Sequence, residues 1–123
     1  MAFILAAVGL ACFAVLGGLV LATYYFAGWR VPRWLGVVHP LVGVAALTCL
    51  WIVFAFWHGA HDMPFDAGII VLSLTLAAGA FMFALRATRL PVPGFAVLIH
   101  GLAGLFGCAL LIVGLFHLVS GPV

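Results

Sequence analysis

Five histidines are the residues of this sequence with the greatest capacity for chemistry. The chain has 123 residues, of which only 5% are charged. Imidazole binds metal ions and exchanges protons near neutral pH, and ionisable groups in strongly apolar helices usually mark a function. The five are His39, His58, His61, His100 and His117. Their spacing indicates metal ligation, provided that the surrounding elements bring them together.

The elements that must position the histidines are membrane-spanning helices. Hydrophobic residues make up 69% of the chain and its mean hydropathy is +1.48, whereas a soluble domain is roughly half apolar and about a quarter charged. Four apolar runs are each long enough to cross a bilayer, which takes roughly 20 helical residues. They extend from Ala2 to Phe26, Trp34 to His58, Phe65 to Leu85 and Phe95 to Leu118. We therefore predict an all-α fold, a single four-helix transmembrane domain over residues 1–123.

The composition also excludes several classes of protein. So few charges leave no basic face for nucleic acid, and the sequence contains no nucleophile and base pair, phosphate loop or paired carboxylates. We predict no catalytic residue, and an electron-transfer subunit of an oxidoreductase is expected rather than a stand-alone enzyme. The three cysteines, Cys12, Cys49 and Cys108, fall inside the apolar runs. Their odd number and depth predict small buried side chains rather than disulfides.

The charges predict how the bundle is oriented. Arginines occupy the first and third connections and aspartates the second: Arg30 and Arg33, Arg86 and Arg89, and Asp62 and Asp66. Short loops that carry arginine stay on the cytoplasmic side. We expect both termini on the opposite side of a membrane that is most naturally a bacterial inner membrane, crossed several times.

An internal repeat is visible in the sequence. One constant offset relates three pairs of identical residues: Arg30 and Arg89, Cys49 and Cys108, and His58 and His117. A slightly larger offset relates the similar segments that begin at His39 and His100. The repeat predicts two parallel helical hairpins related by an axis along the membrane normal.

In this arrangement helices 2 and 4 run in the same direction, so His39 should share the depth of His100, and His58 that of His117. Two facing imidazoles can supply both axial ligands of a haem iron. Small residues beside the ligands would let a flat macrocycle approach the backbone. They are Gly43 and Gly104 on the same helices, and Gly17, Gly18 and Gly79 on helices 1 and 3.

The pattern of two histidines on each of the second and fourth helices resembles the four-helix haem core of respiratory cytochrome b and related small membrane b-type cytochromes. The resemblance implies one haem b between His39 and His100 on the cytoplasmic side. It implies a second between His58 and His117 on the outer side, for which His61 is a substitute ligand. Arginines at the cytoplasmic face could neutralise the carboxylates of the inner haem. The arginines are Arg30, Arg33, Arg86 and Arg89.

The expected function is electron transfer within a lipid bilayer, with a quinone or a partner redox subunit as the other reactant, in a hetero-oligomeric complex. Two alternatives remain open. One is a haem-free structural or assembly subunit, whose histidines lie at the interface only because of composition. The other is a small outer-face module that binds zinc, copper or quinone through His58, His61, Asp62 and His117.

Overall fold

The fold consists of four long α-helices. The computed structural model describes residues 1–57 and 62–120, and within these ranges it contains no strand. The helices are α1 (Ala2–Phe26), α2 (Arg33–Phe56), α3 (Met63–Ala87) and α4 (Gly94–Ser120). All four are long and apolar enough to cross a membrane. The prediction of an all-helical, multi-pass integral membrane protein is confirmed.

The helix ends follow the charged residues and prolines. The bounds of α1 agree with the sequence prediction, and the other three helices differ from it by at most two residues at either end. α3 begins earlier than predicted because Pro64 fits its first turn, where a missing backbone N–H removes no helical hydrogen bond. His58, which was predicted to end α2, lies outside the described residues.

α1 and α3 end in the same kind of turn. Gly28 follows α1 with φ of 68°, and Arg89 follows α3 with φ of 60°, so both residues have the left-handed conformation. In each turn the next residue donates a backbone hydrogen bond across the last helical turn, which is the Schellman arrangement. These bonds are Trp29 N–H to the Tyr24 carbonyl at 2.9 Å and Leu90 N–H to the Leu85 carbonyl at 2.8 Å.

Each helix packs against its two neighbours in the order α1, α2, α3, α4, which leaves α2 and α4 on one diagonal of the bundle. The hydroxyl of Tyr25, in the last turn of α1, donates a hydrogen bond of 2.7 Å to the carbonyl of Val92 in the α3–α4 connection. Both connections therefore lie at one end of the bundle. We call it the arginine end, because it carries the exposed residues Arg30, Arg33, Arg86 and Arg89.

The opposite end, where α3 begins and α4 ends, carries Asp62 and His117, and we call it the aspartate end. The apolar core lies toward this end. Leu50, Phe65, Ile69 and Leu111 are completely buried there. The core cluster takes residues from all four helices: Ile4, Ala7, Val8, Ala11, Ala46, Leu50, Val53, Phe65, Ile69 and Leu111.

The half of the bundle toward the arginine end is packed differently. None of the residues 15–45 and 76–103 is buried, although most of them are apolar. This half therefore holds no fully buried apolar core, and its interior positions include the partly buried His39 and His100.

Candidate functional site

The structure brings His39 and His100 together in the arginine half. Their ring centroids lie 6.3 Å apart, and the ring planes are nearly perpendicular, at 85°. His39 follows the first residue of α2, Arg33, by six positions, and His100 follows the first residue of α4, Gly94, by the same six. Because α2 and α4 lie on a diagonal, both half-buried imidazoles face the middle of the bundle.

A backbone carbonyl fixes the ring of His39. Its Nδ1 donates a hydrogen bond of 3.0 Å to the carbonyl of Ala14 on α1. With the proton held on Nδ1, the other ring nitrogen, Nε2, has a free lone pair. Metal-binding histidines commonly have this arrangement, in which one nitrogen donates to a carbonyl and the other binds the metal.

His100 has a related but incomplete environment. The carbonyl beside it is that of Thr75 on α3, but no hydrogen bond of normal geometry forms, and Nδ1 of His100 is buried without a partner. A buried nitrogen without a partner is costly. A small change of ring orientation toward the Thr75 carbonyl would satisfy it, and would give His100 the same free Nε2 as His39.

Two glycines on the neighbouring helices make space for these rings. A Cβ atom on Gly18 of α1 would lie 3.0 Å from Cε1 of His39, and a Cβ atom on Gly79 of α3 would lie 2.8 Å from Cε1 of His100. Either substitution would force the imidazole to move, so both rings rest against bare backbone. These glycines were predicted to make room for the edges of a macrocycle; in the structure the histidines occupy the space that they leave.

The separation of the rings is suited to one shared metal ion. Imidazole nitrogens bind metals at about 2.0–2.1 Å, so two imidazoles on opposite sides of one ion have ring centres about 6.2–6.5 Å apart. The measured separation of 6.3 Å falls in this range. If both rings bound one ion in this way, they would leave its remaining positions open for the nitrogens of a haem.

The surroundings of His39 include an apolar groove. A cavity of about 350 Å³ adjoins His39 between α1 and α2, where Gly17, Tyr24 and Trp34 form part of its wall. Gly43, one turn beyond His39, has only the end of Leu76 within 4 Å of where a Cβ atom would lie. The cavity takes no wall residue from α3 or α4, so it borders His39 but does not extend between His39 and His100.

The exposed residues Arg30, Arg33 and Arg89 lie at the arginine end, beyond the histidines. The aliphatic part of arginine lets its guanidinium reach along a helix end. These residues could pair with carboxylates that project from a group bound between the imidazoles.

The predicted outer site is described only in part, because His58 and His61 lie outside the described residues. His117 is half exposed, and its Nδ1 lies 3.1 Å from Oδ2 of Asp62. Among residues 1–57 and 62–120, no three histidine, cysteine or acidic side chains form a group that could hold a metal ion. In this half of the bundle, toward the aspartate end, the side chains of the buried core fill the interior.

Two carbonyls and one contact between cysteines were not predicted from the sequence. Ala14 and Thr75 are related by the same offset as Gly18 and Gly79, and as His39 and His100. The larger of the two repeat offsets was therefore the signal that could have identified these carbonyls. No comparable signal indicated that Cys12 and Cys108 touch.

Comparison of the chain with models of known protein families, with curated proteins and with solved structures finds no match. The site is therefore interpreted from its own geometry.

Proposed function

We propose that this protein is a small b-type cytochrome of the membrane, which binds haem between α2 and α4 and transfers electrons within the bilayer. The observation that carries the proposal is the pair of half-buried imidazoles at 6.3 Å, in the half of the bundle where no side chain is buried. When bound, haem would supply reversible one-electron chemistry.

The chain's own residues would hold and tune the haem. His39 and His100 would hold the haem iron, and the Ala14 carbonyl orients His39 through Nδ1. Ligation by two imidazoles with apolar burial sets the potential of such a site. Gly43 would let a flat ring approach the backbone, and Arg30, Arg33 and Arg89 would neutralise its carboxylates. Gly104, which was predicted to act in the same way, is buried, and side-chain atoms of Val15 and Thr75 lie 3.6 Å and 3.8 Å from where its Cβ atom would be.

The support is stronger for the inner haem than for the outer one. In the aspartate half the interior is taken up by completely buried side chains, including Leu50, Phe65 and Leu111, and His117 contacts Asp62. The proposal therefore assigns one haem to His39 and His100. A second haem at His58 and His117, with His61 as the substitute ligand, stays a prediction from the sequence. The number of haems per chain, measured as described below, tests it.

We also propose that the bundle consists of two parallel hairpins. Three observations support a repeat with the larger offset, the one that relates His39 to His100. This offset separates the start of α1 from that of α3 and the start of α2 from that of α4. It also separates the turn at Gly28 from the turn at Arg89. The arginine end would face the cytoplasm of a bacterium, with both termini on the other side of its inner membrane.

Electrons must come from or go to a reactant that reaches the bilayer. The helices account for almost all of the described chain, so little protein remains outside the membrane to bind a soluble substrate. A quinone or a redox subunit of a larger membrane complex fits this geometry. Membrane lipid surrounds the exposed apolar side chains.

The test is to count haem in the purified protein, produced with ample haem, and to record a reduced-minus-oxidised absorption spectrum. We expect sharp low-spin bands and one haem per chain. His39→Ala and His100→Ala should each lose the low-spin bands, because a single remaining imidazole cannot ligate both sides of the iron. His117→Ala is the matched control and should keep them.

Other outcomes would change the proposal. A colourless protein that tolerates both inner substitutions would favour a structural subunit. Loss of metal or haem only in His117→Ala would favour a site at the outer face. Two haems per chain would support the outer pair as well.

A further inference from the structure

A pair of cysteines lies near the middle of α1 and α4. The Sγ atoms of Cys12 on α1 and Cys108 on α4 are 2.9 Å apart. This is closer than non-bonded carbon atoms pack, about 3.5–4.0 Å, and about 0.9 Å longer than a disulfide bond. Both residues were predicted to be small buried side chains, yet only a small movement separates their sulfur atoms from bonding distance.

The two thiols differ in accessibility. Cys108 is only 7% exposed, whereas Cys12 is partly exposed. A small uncharged oxidant that dissolves in the bilayer can therefore reach Cys12 first. Cys108 is then positioned to react with the oxidised sulfur, as a resolving cysteine does in redox sensors.

We propose that Cys12 and Cys108 form a redox-reactive pair that hydrogen peroxide converts into a disulfide between α1 and α4. The Cys12 sulfur attacks the peroxide, the O–O bond breaks, and a sulfenic acid and one water form. The Cys108 sulfur then attacks the Cys12 sulfur, the S–O bond breaks, and a second water leaves. Together the two thiols lose two electrons, and one peroxide is reduced to two waters.

The disulfide would join the first helix of the chain to the last. Cys12 precedes Ala14 by two residues, and the Ala14 carbonyl accepts the hydrogen bond from His39. The crosslink would therefore hold the segment of α1 that orients this ring. The inference does not depend on haem, since its readout is the covalent state of the sulfur atoms.

The experiment treats the purified full-length protein with hydrogen peroxide, denatures it, and blocks the remaining thiols with N-ethylmaleimide before intact-mass measurement. The chain has three cysteines, so the reduced protein should take up three maleimides. The oxidised protein should take up one and lose two hydrogen atoms. Proteolysis should then yield a Cys12–Cys108 peptide pair that a reductant separates.

Cys49 provides the matched control. It is also partly exposed within a helix, α2. Cys49→Ser should still form the disulfide, and Cys12→Ser and Cys108→Ser should not. Uptake of three maleimides after a peroxide dose that oxidises free cysteine, or crosslinked peptides that contain Cys49, would overturn the proposal. Because the wild-type protein alone gives this answer, a variant that fails to fold leaves the test intact.

Discussion

At the scale of single residues, Gly79 offers the most direct test of how the histidine site is built. A Cβ atom there would lie 2.8 Å from Cε1 of His100, which is closer than packed atoms tolerate. We expect Gly79→Ala to displace the ring and to lower haem content per chain several-fold. The measurement is haem per chain at equal protein concentration, together with the low-spin absorption bands.

Gly101→Ala is the control for this change. Gly101 adjoins His100 on the same helix, but a Cβ atom there would meet no atom within 4 Å. The control should bind haem as the wild type does. Equal haem content in Gly79→Ala and Gly101→Ala would mean that His100 does not need the space beside Gly79.

The sequence was sufficient to predict that His39 lies close to His100, because the two residues occupy matching positions on α2 and α4. It could not predict the partners of the rings. Whether His39 meets the carbonyl of Ala14 depends on how α1 is rotated about its axis. In a lipid-facing bundle both the interior and the exterior faces are apolar, so the hydrophobic pattern does not report that rotation.

At the scale of helices and turns, the two residues with a left-handed backbone conformation are expected to respond to substitution in opposite ways. Gly28 tolerates φ of 68° at no steric cost, whereas Arg89 adopts φ of 60° against the preference of a residue with a Cβ atom. Gly28→Ala should lower the free energy of unfolding by about 1 kcal/mol. Arg89→Gly should raise it by up to about 1 kcal/mol, since the conformational freedom of glycine offsets part of the gain.

Both variants are best measured without haem, by unfolding in mixed detergent micelles, because Arg89 is also proposed to contact the haem carboxylates. Changes of the same sign in the two variants would show that the turns are not equivalent.

The helix bounds themselves were predictable to within two residues, since charges and prolines interrupt the apolar runs. The repeat was ambiguous in the sequence, because two different offsets both give matches of residue type.

At the scale of the whole molecule, the unequal packing of the two halves predicts unequal protection of the backbone. In haem-free protein we expect amide hydrogens of residues 15–45 and 76–103 to exchange faster than those beside the buried core, since few buried contacts oppose local opening. Adding haem should slow exchange in those two ranges. Hydrogen exchange followed by mass spectrometry, in detergent micelles with and without haem, measures this difference.

His39→Ala with added haem is the control, and exchange in the same ranges should stay fast. Uniform protection along all four helices in the haem-free protein would contradict the prediction.

Composition alone was sufficient to predict a four-helix membrane protein. It could not predict a core restricted to one half, because apolar residues dominate both halves and composition does not report how they pack.

The position of the core also has a consequence for how the protein is made. The cluster near the aspartate end joins α1, α2, α3 and α4, and it takes no residue from the ranges 15–45 and 76–103. If the protein binds haem as proposed, its helices can therefore insert and assemble before the haem arrives. Haem loading would then be a late step of biogenesis, carried out on a scaffold whose core at the aspartate end is already packed.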